Sequence, residues 1–164
     1  MTAASATEGT PRQSGAARRR SIARLAAVQA LYQLELNPGR GADAVIGEFV
    51  HHRLGREIDG DVYGEADEKL FADIVRGVTN NRERLDETVS AALSEEWPLA
   101  RLETLLRLII EAGAYELMHR PDIPPRVTIS EYVAVAHAFF SGREPGLANG
   151  VLNCLARTLR AADL

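Results

Sequence analysis

Residues 17–36 read ARRRSIARLAAVQALYQLEL, and their spacing points to the fold class. Ile22, Leu25, Val28, Tyr32 and Leu36 recur in steps of three and four, the period of one helix face. Three arginines, Arg18, Arg19 and Arg20, open the segment, and Asn37-Pro38-Gly39 stops it. Arg20 and Arg24 are four apart, so they share a face about one turn apart. Gln29 and Tyr32 lie further along the same helix.

The rest of the chain repeats the helical pattern. A shorter helix is expected over Ala42–Leu54, followed by a Gly- and Asp-rich loop, 55-GREIDGDVYGEAD-67. A long helix is expected from Asp67 to about Leu93, with Leu70, Ile74, Val78, Leu85 and Val89 inward. Asn80-Asn81 interrupts that stripe, as a polar crossing or a kink. Pro98 fits the first position of the next helix, which carries Leu102, Leu105, Ile109 and Leu117. The connector 121-PDIPP-125 is rigid. Thr128-Ile129-Ser130-Glu131 has the form of a capping box and predicts a helix start there. Ser141–Gly146 reads as a turn, and Leu147, Val151, Leu155 and Leu159 as a last helix. No convincing strand pattern appears. The expectation is an all-α protein, a compact bundle of six or seven helices. Residues 1–17, rich in Ala, Ser, Thr, Gly and Pro, are expected to be a disordered tail.

Composition narrows the function classes. With 164 residues and 5% aromatics, the core must be built mainly from Leu, Ile, Val and Ala. A single cysteine, Cys154, excludes a disulfide within the chain and a four-cysteine zinc site. No apolar run approaches the ~20 residues of a membrane span. The first 20 residues lack Leu, Ile, Val and Phe, so neither a signal-peptide core nor an amphipathic presequence is expected. A cytoplasmic location follows as the simplest expectation. The net charge of −4 is uneven. Residues 1–24 hold five arginines against Glu8, and the other 140 residues hold 14 basic and 22 acidic groups. A basic arm on an acidic body points to one localised polyanion contact.

Guanidinium groups fork onto phosphate oxygens, amides read base edges, and aromatic rings stack on unpaired bases. Arg18, Arg19, Arg20, Arg24, Gln29 and Tyr32 are therefore candidate RNA-binding residues. The plainer alternative is that Tyr32 is half-buried core and the arginines are a solvated helix start. Positive charge at a helix N-terminus opposes the helix dipole, which favours a reason outside folding. A separate reading is metal chemistry. Glu48…His51 and Glu116…His119 are two Glu-x-x-His units, and Glu35 and Glu131 could complete a di-iron carboxylate set. Cys154 reads as a small core residue rather than a nucleophile. There is no Walker loop, dinucleotide fingerprint or HExxH motif.

Several segments together resemble the NusB family. The first is 17-ARRRSIARLAAVQALYQLEL-36, with its Arg-rich opening and A-x-Q-A-L-Y core. The second is 70-LFADIVRGVTNNRERLD-86, where Phe71, Asp73 and Gly77 fit. The third is 112-AGAYELMHRPDIPPRVTISEYVAVAHAFF-140, and the last 148-ANGVLNCLAR-157. They cover roughly residues 17–160 in order. The resemblance implies a fold of two helical subdomains, about 18–94 and 95–164, within one domain over 18–164. It implies binding of the boxA element of ribosomal RNA transcripts, together with NusE, a small-subunit ribosomal protein. It implies a place in the RNA polymerase antitermination complex, supporting processive transcription of ribosomal RNA genes. It implies no catalysis, cofactor or metal, and leaves monomer and homodimer open. The alternative of a detached NusB-like module of a ribosomal RNA methyltransferase is also open, as this chain has no room for that enzyme's fold. Arg20, Arg24, Gln29 and Tyr32 match the family's first-helix residues, and Arg18 and Arg19 belong to the same basic opening. The chain departs from the family at Leu147, where Phe is usual, and at Arg143, Asn153 and Glu111, where acidic, Asp and Arg residues are common. Those departures bear on the C-terminal contribution to RNA and partner contacts, and NusE is assigned only to the C-terminal half.

Overall fold

A computed structural model describes residues 15–52, 57–58, 61–62 and 66–164. Among them are seven α-helices: α1 (Gly15–Leu36), α2 (Ala42–His52), α3 (Glu68–Asn80), α4 (Arg82–Ala92), α5 (Thr104–His119), α6 (Pro125–Phe139) and α7 (Glu144–Leu159). The all-α expectation holds, with one small addition. Glu57–Ile58 (β1) and Asp61–Val62 (β2) pair antiparallel within the segment read as a loop. The rest of that segment up to residue 65, Leu54 and the tail over residues 1–14 lie outside the described residues. Helix α1 begins at Gly15, so residues 15–17, expected in the tail, are helical.

Helix α5 is the axis of the bundle. From Leu106 to Leu117 every residue but Arg107 is buried, Glu111 and Glu116 included, so the helix is enclosed on all sides. It packs against α1, α3, α4, α6 and α7. Helix α1 lies on α3 and α5 through Ala23, Ala26, Ala27, Ala30 and Leu31. Of the stripe of larger residues read from the sequence, only Val28 is fully buried. Tyr32 is 37% exposed and Leu36 62%, while Ile22 and Leu25 are only partly covered. Alanine gives a weak periodic signal, yet its small side chain allows the closest approach of two helices. Gly77 of α3 serves the same end, because a Cβ there would overlap the Tyr115 ring of α5.

Three expected boundaries move for local reasons. The long helix over 67–93 is two helices that meet at Asn81, with φ −116° and ψ 24°. The Asn81 backbone N–H and side-chain amide both donate to the Gly77 carbonyl, at 3.1 and 2.8 Å, closing α3 before α4 restarts. The interruption is a break in the helix rather than a polar crossing. Asp67, read as the first helical residue, is the N-cap, and its carboxylate accepts from the Leu70 N–H at 3.0 Å. Pro98 precedes a single 3₁₀ turn, Leu99–Arg101, and the α-helix proper starts at Thr104.

The capping-box reading fails in a similar way. Helix α6 is already launched by Pro125, whose fixed φ suits a first turn, and Thr128 is a buried residue inside it. The last helix likewise begins earlier, at Glu144, with Pro145 in its first turn. At the far end of α7, Arg160 donates to the carbonyls of Leu117, Arg120, Pro121 and Ile123 at 3.2–3.4 Å. It thereby closes the exposed C-terminal carbonyls of α5 and ties down the α5–α6 connector.

Candidate nucleic-acid interface

The first turns of α1 project beyond the core, which leaves Arg18, Arg19 and Arg20 exposed. Among the described residues no carboxylate lies within ion-pair distance of any of the three. The Arg19 carbonyl accepts the Asp67 N–H at 3.1 Å, so the start of α1 is pinned to the start of α3. Asp122, in the α5–α6 connector, feels the charge of Arg20. Its carboxyl is held below the usual range, first by a hydrogen bond from Arg120.

Arg24 departs from the sequence reading. It is 2% exposed, and its guanidinium lies between α5 and α6. Its Nε and Nη2 each donate to the Glu116 carboxylate at 2.9 Å, and Nη1 stands 3.6 Å from Glu131 Oε2. The Ser21 hydroxyl donates to that same Glu131 oxygen at 2.7 Å. Burial works against the charge on Arg24, but the Glu116 hydrogen bond and charge outweigh it and raise the guanidinium pKa further. Arg24 therefore leaves the set of strand-contacting residues. One turn beyond Arg20, the helix has entered the bundle, and a side chain there points into α5 and α6. Breaking such a buried pair on one side costs about 3–5 kcal/mol.

The other site residues divide between two sides of α1. At 3.6 residues per turn, Arg18, Gln29 and Tyr32 fall within roughly 60° of one another. Gln29 and Tyr32 are both exposed, so these three line one accessible side about 20 Å long. Arg20 lies roughly opposite Gln29 and faces the α5–α6 connector. The candidate surface thus wraps around the head of α1 rather than following a single stripe.

The metal reading loses its ligands to arginines. Glu116 and Glu131 serve Arg24, and Glu48 pairs with Arg40 at 2.6 Å. Glu35 pairs with Arg82 and with Arg107, at 3.0 Å for the latter. His119 is exposed and lies against the Tyr115 ring, 4.9 Å between centroids. Among the described residues no group of three or more His, Cys, Asp or Glu is placed to hold a metal ion. Within the same residues, no helix is long and apolar enough to cross a membrane.

Two clusters were not anticipated from sequence. Tyr115 donates to Asp73 Oδ1 at 2.6 Å, and Arg120 Nη1 donates to Asp73 Oδ2 at 3.1 Å, joining α3 to the end of α5. Burial and then Asp73 push the Tyr115 hydroxyl up to about 12. Elsewhere, a cleft of about 670 Å³ opens between the 97–106 region and the start of α7. Trp97, Arg101, Leu106, Arg143 and Leu147 line it, and Trp97 is 49% exposed. Two of the four family departures, Arg143 and Leu147, therefore share one surface. Glu111, a third, is fully buried.

The sequence model of the NusB family matches residues 21–157. This chain belongs to the NusB family. It is 48% identical to the transcription antitermination protein NusB of Rhodopseudomonas palustris over 153 residues, 93% of this chain and 90% of the relative. Its identity to the protein of that name from Caulobacter vibrioides is also 48%, covering 86% and 94% of the two chains. Among solved structures, T. maritima NusB aligns with TM-score 0.67 and 29% identity, over 85% of this chain and 90% of that one. The NusB chain of a complex of NusB, NusE and double-stranded RNA aligns with TM-score 0.69, over 86% and 98%. At 18% identity, that second likeness speaks for the NusB fold alone.

Proposed function

We propose that this member of the NusB family binds boxA-type RNA of ribosomal RNA transcripts as a non-enzymatic adaptor. It acts together with NusE within the RNA polymerase antitermination complex and supports processive ribosomal RNA transcription in the cytoplasm. Arg18, Arg19 and Arg20 contact phosphates, Gln29 reads a base edge and Tyr32 flanks a base. The observation that carries this reading is the trio of exposed arginines at the head of α1, without a carboxylate partner among the described residues. Such charges oppose the helix dipole, so folding gives them no reason to be there. A phosphate strand does.

The family supports the reading, since close relatives carry the name of transcription antitermination protein and a solved relative is bound to NusE and RNA. NusE is assigned to the C-terminal half, where the cleft beside Trp97 presents the kind of exposed aromatic anchor that protein interfaces use. The test is a gel-shift or filter-binding titration of a boxA-type single-stranded RNA, with and without NusE. Binding that weakens as salt rises, and tightens when NusE is present, is the expected result. Absence of binding to boxA RNA over a scrambled sequence in both conditions would overturn it.

A further inference from the structure

Helix α1 meets the bundle through a face made mostly of alanines. Burial of small apolar groups is favourable but has no direction, so by itself it fixes the rotation of a helix weakly. A forked guanidinium–carboxylate pair is directional. Arg24 makes such a pair with Glu116 of α5, and it also approaches Glu131 of α6. Ser21, three residues earlier, addresses the same Glu131 oxygen. Two side chains one turn apart on α1 are thus tied to carboxylates on two different helices. The exposed arginines begin at the very next residue, Arg20.

We propose that Arg24, with Glu116, Glu131 and Ser21, is a positioning anchor that sets the rotation and depth of α1 and so aims Arg18–Arg20, Gln29 and Tyr32 at RNA without touching it. This rests on the RNA-binding reading above. The lever is short. With side chains reaching about 5–6 Å from the helix axis, a rotation of ~20° carries their outer atoms roughly 2 Å. A displacement of that size stretches a charge-assisted hydrogen bond, normally about 2.7–2.9 Å, while the charge stays close enough to the phosphate to displace its counterion.

Salt dependence separates an anchor from a contact. Each phosphate neutralised on a single strand contributes about 0.7 to the slope of log K against log salt. The double variant Arg24→Met with Glu116→Met removes both charges together, and of the groups around the pair it deprives the buried Tyr132 hydroxyl of Glu116 and the part-buried Glu131 of Arg24. It is expected to bind boxA RNA roughly tenfold more weakly, about 1.4 kcal/mol, with the wild-type salt slope. Arg20→Ala is expected to reduce the slope by about 0.7. Unchanged affinity in the folded double variant would overturn the anchor as merely structural. A reduced slope would overturn it as a direct contact.

Glu131→Gln guards against a double variant that does not fold, because it keeps the Arg24–Glu116 pair and the side-chain shape. A severalfold loss of affinity, with faster amide exchange over residues 18–21, is expected. If neither changes, the anchor fails. Wild-type protein that shows no salt-dependent RNA binding removes the RNA reading instead, and the amide exchange of Glu131→Gln still decides whether the anchor holds α1.

Discussion

Replacing Glu111 by Gln should remove a pH dependence of stability that the wild-type chain carries between acid and mildly alkaline conditions. Glu111 lies on α5 with no exposed surface. One oxygen accepts from Arg107 at 3.2 Å. The carboxyl also faces Asp86 of α4, both with a buried oxygen that lacks a donor, and two carboxyl groups can bond only with a proton between them. Burial first, then the Asp86 bond, push the Glu111 pKa up to about 8, with Arg107 and Arg82 pulling the other way. The folded pKa is above the ordinary 4.5, so folded protein keeps a proton that unfolded chain releases. The contribution to stability is fully present below about pH 4.5, declines as pH rises, and is gone above about pH 8. A shift of that size corresponds to at most about 5 kcal/mol. Gln donates to Asp86 and accepts from Arg107 at every pH, so it should hold the neutral geometry throughout. Urea melts at several pH values from 5 to 9 test this. Wild type should lose several kcal/mol more than Glu111→Gln across that range, while titrations elsewhere cancel in the difference. Parallel curves for the two proteins would refute a proton held at Glu111.

Other substitutions test single contacts. Gly77→Ala should push the Tyr115 ring off α3 and Asp73, costing about 1–3 kcal/mol in a denaturant melt, whereas an unchanged midpoint would mean that the helices separate freely. Arg160→Ala removes the side-chain donor to four carbonyls at the end of α5 and in the α5–α6 connector and should cost about 1.5–3 kcal/mol, with faster amide exchange in that connector. Trp97→Ala should weaken NusE binding by about 2 kcal/mol in calorimetry while leaving RNA binding without NusE alone. Equal NusE affinity would move the partner surface away from the cleft.

Helix number and order were largely legible, because the larger apolar residues of α3 and α5 keep the helical period. The orientation of α1 was not. Of its large residues, Ile22, Leu25, Tyr32 and Leu36 lie on or near the exposed side, and Val28 and Leu31 join four alanines on the buried one. Proline chemistry was right in kind and displaced in place. Pro125 rather than Thr128 starts α6, and Pro98 leads only a single turn.

At the candidate surface, the basic opening was legible as a charge run, and Arg18–Arg20 are indeed exposed. The fate of Arg24 was hidden, since its partners Glu116 and Glu131 are distant in sequence and ordinary helix residues by type. The one available hint was the spacing itself. A residue at the helical period of Leu31, and flanked by Ala27 and Val28, falls on the inward side of a helix. Its charge suggests the surface, but the buried Glu116 and the part-buried Glu131 hold it inside.

The salt titration of the variant Arg18→Ala, Arg19→Ala, Arg20→Ala on boxA RNA bears most directly on the central claim. If the three guanidinium groups each meet a phosphate, the slope of log K against log salt should shrink by about 2 from wild type, with helicity retained. Identical slopes for the two proteins would contradict it and send the search for the RNA surface elsewhere on the bundle.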